Sequence, residues 1–396
     1  MKEDRFHKTI FFLLSPVLSL PMTLYGICRK SNYSLFLFVL TIGGLLSYLF
    51  IPYADDDRAR YYSLYLELGK MSWSEVFKFL TTLPDFSIYL YYALMAKMGL
   101  YFQFATAILN VLSVGVIFFV FRKLTENQYK NYFLYFIFIC LAISYVNLFA
   151  GIRFYLSATL ILLAFYYRFF ERKKLNGFIF LILAVSAHYS SVLFIAVYCT
   201  TILLENRPRW AKLLFIISFA FLLIPRSEIL TQFEVFGIGE TMDDKLEFYL
   251  GSEDHIESGW DINSNAKIVF LLRSFWLIFA YCYLLFTIKR TSRFRTILYC
   301  TIFFISIFYQ APTVFDRYLN LFKLFFALHI IVDSIKTGKL KVLYLFLCCF
   351  LIDFAIQIYV MRYVILESYF NLDTLFLPLG LFKEITEFDF LPEFIN

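Results

Sequence analysis

Side chains suited to acid–base and anion chemistry gather in four places along an otherwise apolar chain. Asp55-Asp56-Asp57 is followed by Arg58, Arg60, Tyr61 and Tyr62. Three adjacent carboxylates can hold a divalent ion or supply a general base; the plainer alternative is a solvated loop with an acidic start and a basic end. Gly151-Ile152-Arg153 opens an apolar run. A guanidinium fits a phosphate or pyrophosphate through paired hydrogen bonds, although an arginine at a membrane interface can also snorkel to headgroups. His188-Tyr189-Ser190-Ser191 lies between two short apolar runs. An imidazole there suits a general base or a phosphate partner, or else it caps a helix. Phe315-Asp316-Arg317-Tyr318 precedes a later run and offers either a second arginine for the same anion or only a local ion pair. Arg226, Arg273 and Arg362 are weaker candidates of the same kind.

The elements that must position these residues belong to a membrane protein. The chain has 396 residues, 61% of them hydrophobic, and a mean hydropathy of +0.71. Soluble domains are normally about 45–50% apolar, and about 20 apolar residues span a bilayer. The runs fall near 9–28, 33–52, 101–121, 130–149, 153–170, 175–188, 190–204, 211–225, 267–288, 295–311, 318–335 and 341–363. The expectation is therefore an all-α polytopic protein of about twelve transmembrane helices, forming a single integral-membrane domain over 1–396. Pro16 and Pro21 predict an irregular first span, and the run at 9–28 lacks a small-residue cleavage site, so it reads as retained.

Lysine and arginine mark the cytoplasmic side. Arg29-Lys30, Arg122-Lys123, Arg172-Lys173-Lys174, Arg207 with Arg209, Lys289-Arg290 and Lys336 with Lys339 occupy alternate loops. The 226–266 loop and the tail after 363 are acidic and belong outside. All four polar clusters then share the outer face. Residues 61–71 and 86–98 are expected to lie along that interface, with Asp85 as a candidate cap of the second helix; the alternative is that 83–98 cross the membrane, which would move the basic loop at 122 outside. Loops 53–100 and 226–266 would cover the site, the latter as a lid.

Some chemistries lack their signatures. No Walker loop, GxGxxG, HExxH or GxSxG element is present. The seven cysteines all lie in apolar runs without metal-ligand spacing, so neither a metal centre nor a disulfide is expected. The net charge of +6 sits in short loops, which suits membrane orientation and gives no sign of nucleic acid. Asp353 is the main carboxylate within a span. Ion-driven transport normally needs such groups near the midplane, so one-sided polarity favours chemistry at the outer surface.

Taken in order, Asp57 to Tyr61, Gly151-Ile152-Arg153, Arg172-Lys173-Lys174, Ala184-Val185-Ser186-Ala187-His188-Tyr189-Ser190 and Arg317-Tyr318 resemble the Wzy/EpsG-like family of bacterial polysaccharide polymerases. The chain has Phe154 where the family often has glutamine, and Ala54 where it often has glycine. The resemblance implies a glycosyltransferase of GT-C-like architecture in the bacterial cytoplasmic (inner) membrane, its site facing the periplasm or exterior. Its substrates would be oligosaccharides on polyprenyl pyrophosphate, with membrane lipid around it and a chain-length regulator as a further partner. The donor is already activated, so no cofactor is implied. Catalytic roles fall on Asp57, Arg153, His188 and Arg317, with the base open between Asp57 and His188. Substrate contacts fall on Asp55, Asp56, Arg60, Tyr61, Tyr189, Ser190, Asp316 and Tyr318. An O-antigen ligase, another lipid-linked sugar transferase and a lipid-linked sugar flippase are the competing readings.

Overall fold

Apolar runs in lipid must satisfy their own backbone groups, and helices do so within one segment. The computed structural model describes residues 2–83, 85–128, 130–221, 264–309, 312–370, 376–381 and 383–392. Among the described residues the regular structure is helical, apart from one isolated parallel bridge between Tyr53 and Leu391. Helices Phe102–Leu124, Ile152–Phe169, Val314–Thr337 and Lys341–Val360 are long and apolar enough to cross a membrane. Shorter apolar helices cover Asn32–Leu46, Tyr132–Ala142, Lys174–Ala187, Tyr189–Leu204 and Phe275–Phe286. The 226–266 loop, Arg226 and Trp260 lie outside the described residues, except for positions 264–266.

The chain divides into two compact units, one of residues 1–192 and 357–395 and one of 193–356. The first begins with α1 (Lys2–Leu14), α2 (Leu20–Cys28) and α3 (Asn32–Val39). The expected first span is broken between α1 and α2, where Pro16 lacks a donor and Ser19 Oγ donates to its carbonyl at 2.7 Å. Helix α3 continues as a wide π-helical stretch, Leu40–Leu46. A side chain at Gly43 would meet the backbone of Asn110 and Val111 at 2.8 Å, so glycine permits this close packing on α7 (Phe102–Leu124).

Helices α4 (Asp57–Lys70), α5 (Trp73–Leu80) and α6 (Phe86–Lys97) occupy the stretch expected to lie over the site. The sequence reading missed α5. It starts at a capping box in which Ser72 and Glu75 exchange hydrogen bonds. Val76 and Leu80 are buried, whereas Trp73 and Phe77 are exposed. The three helices share an apolar core of Tyr62, Tyr65, Leu68, Val76, Ile88 and Tyr92, joined by Phe102 and Ala105 of α7.

The run at 130–149 is two helices rather than one, α8 (Tyr132–Ala142) and α9 (Tyr145–Phe149). Ser144 interrupts them in an extended conformation, with Asn147 Nδ2 donating to its Oγ at 3.0 Å. Next come α10 (Ile152–Phe169) and α11 (Lys174–Ala187), which pack side by side. Ser157 on α10 donates to the Ala184 carbonyl at 2.7 Å and fixes the end of α11.

The second unit contains α12 (Leu193–Leu204), α13 (Pro208–Phe221), α14 (Ser264–Phe286), α15 (Arg293–Ser306), α16 (Pro312–Thr337) and most of α17 (Lys341–Val360). Its interior is largely aromatic: Phe215 lies 5.7 Å from Tyr281 and 4.9 Å from Tyr299 between ring centroids. Within it, Lys323 of α16 donates a hydrogen bond to Asp353 of α17, and the two side chains are only 3% and 6% exposed.

Candidate active site

Helix α10 starts anew at Gly151, directly after the short α9. A side chain at Gly151 would meet the Asn147 carbonyl at 3.1 Å, so the tight restart favours glycine. This restart places Arg153 in the first turn of α10, where a cation meets the positive end of the helix dipole. The position therefore calls for a compensating anion, and the compensation comes from α6. Arg153 Nη1 donates to Asp85 Oδ2 at 3.1 Å, with side chains 13% and 6% exposed. The same nitrogen donates to Tyr89 Oη, one helical turn beyond Asp85. Arg153 Nε donates to Tyr61 Oη at 2.8 Å. Its guanidinium carbon lies 4.6 Å from the Tyr61 ring centroid and 4.8 Å from that of Tyr89. Its Nη2 has no hydrogen-bond partner among the described residues.

His188 ends α11 in an extended conformation. Its Nδ1 lies 3.4 Å from the same Asp85 oxygen, and the Tyr189 N–H reaches that oxygen at 3.5 Å. The Phe154 ring stands edge-on to the imidazole at 5.8 Å. Below it, Ser191 Oγ and Ser157 Oγ are 2.5 Å apart, which ties the turn after His188 to α10. One carboxylate oxygen thus joins an arginine and a histidine that stand on successive helices.

Asp85 is the residue that sequence reading undervalued. It sits at the cap position of α6, but its side chain makes no capping bond. Burial pushes its carboxyl up, yet the His188 hydrogen bond and the Arg153 charge outweigh burial and hold it below the ordinary aspartate range. It therefore contributes stability above the unfolded-state pKa, about 4, and that contribution is lost on further acidification. Tyr61 is pushed up to about 12, chiefly by burial, so it meets Arg153 as a neutral acceptor.

The acidic cluster divides between roles. Asp57 opens α4 and pairs with Arg60 at 2.7 Å, with side chains 26% and 65% exposed. Its charge also acts on Tyr61 and Tyr89, so it belongs to the electrostatic surroundings of Arg153. Asp55 is exposed. Asp56 Oδ2 accepts from the Tyr53 N–H at 3.1 Å. Burial, with Asp55 and Asp57 nearby, raises its carboxyl to about 6 despite that bond. A raised carboxyl stabilises the fold below the unfolded-state pKa and loses that contribution as pH rises through about 6. Asp56→Asn should accordingly stabilise the protein by about 1–2 kcal/mol at pH 7–8, with the gain vanishing below pH ~4. Thermal unfolding in detergent across that pH range checks this, and an equal gain at every pH would contradict it.

Arg58 is a brace. It is 1% exposed. It donates to the Ser47 carbonyl at 2.6 Å, to Thr106 Oγ1 at 3.0 Å and to the Phe149 carbonyl at 3.3 Å. These bonds lock the start of α4 to the turn that precedes Arg153.

Tyr189 and Ser190 are half-buried in the turn after His188. Asp316, Arg317 and Tyr318 belong to the second unit, inside α16 rather than in a loop before it. Asp316 pairs with Arg273 at 3.3 Å, and Tyr318 packs on Phe194 and Phe308 at 5.6 and 5.5 Å between centroids. Among the described residues no cluster of three or more metal-ligating side chains occurs.

A largely buried arginine with one nitrogen uncommitted among the described residues can bind an oxyanion, and a carboxylate-held imidazole can take a proton. Among known proteins, the model of the EpsG family matches residues 33–373. Neither the curated proteins nor the solved structures contain a match.

Proposed function

The chain belongs to the EpsG family, which is associated with polysaccharide biosynthesis, and on that premise we propose that it is a membrane polysaccharide polymerase. It joins oligosaccharide repeat units carried on polyprenyl pyrophosphate at the outer face of the bacterial cytoplasmic membrane. The architecture is GT-C-like, with about twelve crossings, and α4 to α6 lie along the interface over the site. A sugar hydroxyl of one lipid-linked unit attacks the anomeric carbon at the reducing end of the growing chain. A new carbon–oxygen bond forms there, the bond from that carbon to pyrophosphate breaks, and the hydroxyl proton passes to His188. The pyrophosphate leaves with added negative charge beside Arg153.

The observation that carries this reading is the shared environment of Arg153 and His188 in the first unit. The leaving group needs a fixed cation in a site of low dielectric, and Arg153 is largely buried with Nη2 unsatisfied among the described residues. The nucleophile needs a proton acceptor, and His188 is on the same carboxylate as that cation. Asp57, already paired with Arg60, supports the electrostatics rather than taking the proton. Asp55, Asp56, Arg60, Tyr61, Tyr189 and Ser190 line the approach for the sugars.

Gel separation of surface polysaccharide from a strain lacking this protein tests the assignment. A ladder collapsing to a single repeat unit is expected. Long chains retained on the carrier would indicate a ligase, and single units held on the inner leaflet would indicate a flippase; either overturns the assignment.

A further inference from the structure

We propose that Asp85 is a positioning residue for glycosyl transfer: through a single oxygen it orients the His188 imidazole and serves as resting counter-ion to Arg153. The inference rests on the polymerase reading above and deepens it. Asp85 Oδ2 lies 3.1 Å from Arg153 Nη1, 3.4 Å from His188 Nδ1 and 3.5 Å from the Tyr189 backbone nitrogen. A carboxylate facing Nδ1 favours the tautomer with its proton on that nitrogen, which directs the basic lone pair of Nε2 away from Asp85. The Tyr189 N–H holds the carboxylate against the turn that carries His188. The oxygen is also the anion that offsets the charge of a largely buried arginine at a helix N-terminus.

Sharing one oxygen couples the two functions. A pyrophosphate bound at Arg153 takes over part of the guanidinium charge. The carboxylate then acts more fully on His188 and raises its basicity at the moment the donor is in place. Among the described residues, the charged and titratable groups facing this assembly include Asp85, Tyr89 and Tyr92 from the α6 segment, Arg153 from α10, and Tyr61 and Asp57 from α4. Of these, Asp85 contacts the imidazole itself.

The test uses the full chain in nanodiscs with lipid-linked repeat units extracted from a strain lacking this protein. Asp85→Asn is expected to lower kcat by about 10²-fold or more while KM for the lipid-linked donor stays within a few-fold. Activity needs the neutral imidazole, so it rises with pH. Removing the carboxylate disfavours the imidazolium, and the acid limb of the kcat profile should move about one unit to lower pH. Asp85→Glu keeps the charge but moves the oxygen, so it should give an intermediate kcat with the acid limb in place. A purely structural role would reduce the amount of folded protein without moving the limb. Wild-type kcat and an unmoved limb in Asp85→Asn would overturn the proposal. Should that variant not accumulate, Asp85→Glu decides, with unchanged kcat overturning it. Normal chain extension by Arg153→Ala would instead overturn the polymerase site itself, so the two failures are separable.

Discussion

Arg153→Ala should abolish long-chain polysaccharide while leaving the protein in the membrane. Removing one preorganised donor to a developing oxyanion typically costs 10²–10³ in rate. Arg153 supplies a full charge as well, so a loss at or beyond the upper end, about 10³-fold, is expected. The truncation also takes the arginine charge from Asp85, a largely buried carboxylate left with His188 and the Tyr189 N–H. A drop in protein amount could therefore mimic a catalytic defect, and Arg153→Ala combined with Asp85→Asn separates them. The double variant should recover membrane-inserted protein on an immunoblot and still make no long chains. Arg153→Lys should restore little. An ammonium has no planar fork, so it cannot reach Tyr61, Tyr89 and Asp85 as the guanidinium does while keeping a further nitrogen for the anion. Normal chain length in the alanine variant would remove Arg153 from the site.

The largest expected effect on stability lies in the second unit. Lys323→Met leaves Asp353 buried without its ammonium partner, and breaking such a pair costs about 3–5 kcal/mol. The ammonium also lies 4.8 Å from the Phe350 ring centroid, a contact that is lost with it. The thermal midpoint in detergent should fall by several degrees, with less protein recovered from the membrane. Lys323→Met combined with Asp353→Leu should recover most of the loss, because two apolar side chains of similar volume need no compensation in this environment. If the double variant is as unstable as the single one, the pair does more than balance charge in α16 and α17.

The parts of this candidate site that were legible in the sequence are those whose signal lies in spacing. Tyr61 follows Asp57 by one helical turn, and that turn does bring Tyr61 to Arg153. Arg153 and His188 stand at facing ends of consecutive apolar runs, and α10 and α11 pack so that both reach one carboxylate. The carboxylate itself was hidden by a good local explanation. An aspartate before an apolar helix ordinarily caps it, so Asp85 looked accounted for. Its companion Tyr89, one turn on in a tyrosine-rich stretch, was the available hint. Arg58 was equally concealed, because next to Arg60 it read as the basic end of a loop; only the fold shows that it is buried and its neighbour exposed. Asp353 stood out within a span, but its partner Lys323 lies on another helix, and no spacing rule connects them. Helix ends were less legible than helix positions. Apolar composition persists through the interruptions at Ser144 and Pro16, where hydrogen bonding rather than hydropathy decides.

The parallel bridge between Tyr53 and Leu391 has a consequence for the order of assembly. Leu391 exchanges backbone hydrogen bonds with Pro52 and Ala54, immediately before the acidic cluster. Phe390 lays its ring against Tyr62 at 5.4 Å between centroids. Tyr48 reaches the Leu381 carbonyl across 333 positions of chain. Translation proceeds from the amino end, and early segments ordinarily settle as they emerge. Here the segment entering α4 must wait through the synthesis of the whole second unit before its last partners exist. During that interval the ribosome holds a protein whose Pro52 and Ala54 backbone groups depend on water or on a membrane chaperone. Cotranslational protease sensitivity around residues 52–62 should therefore persist until residue 391 has left the exit tunnel, and then close.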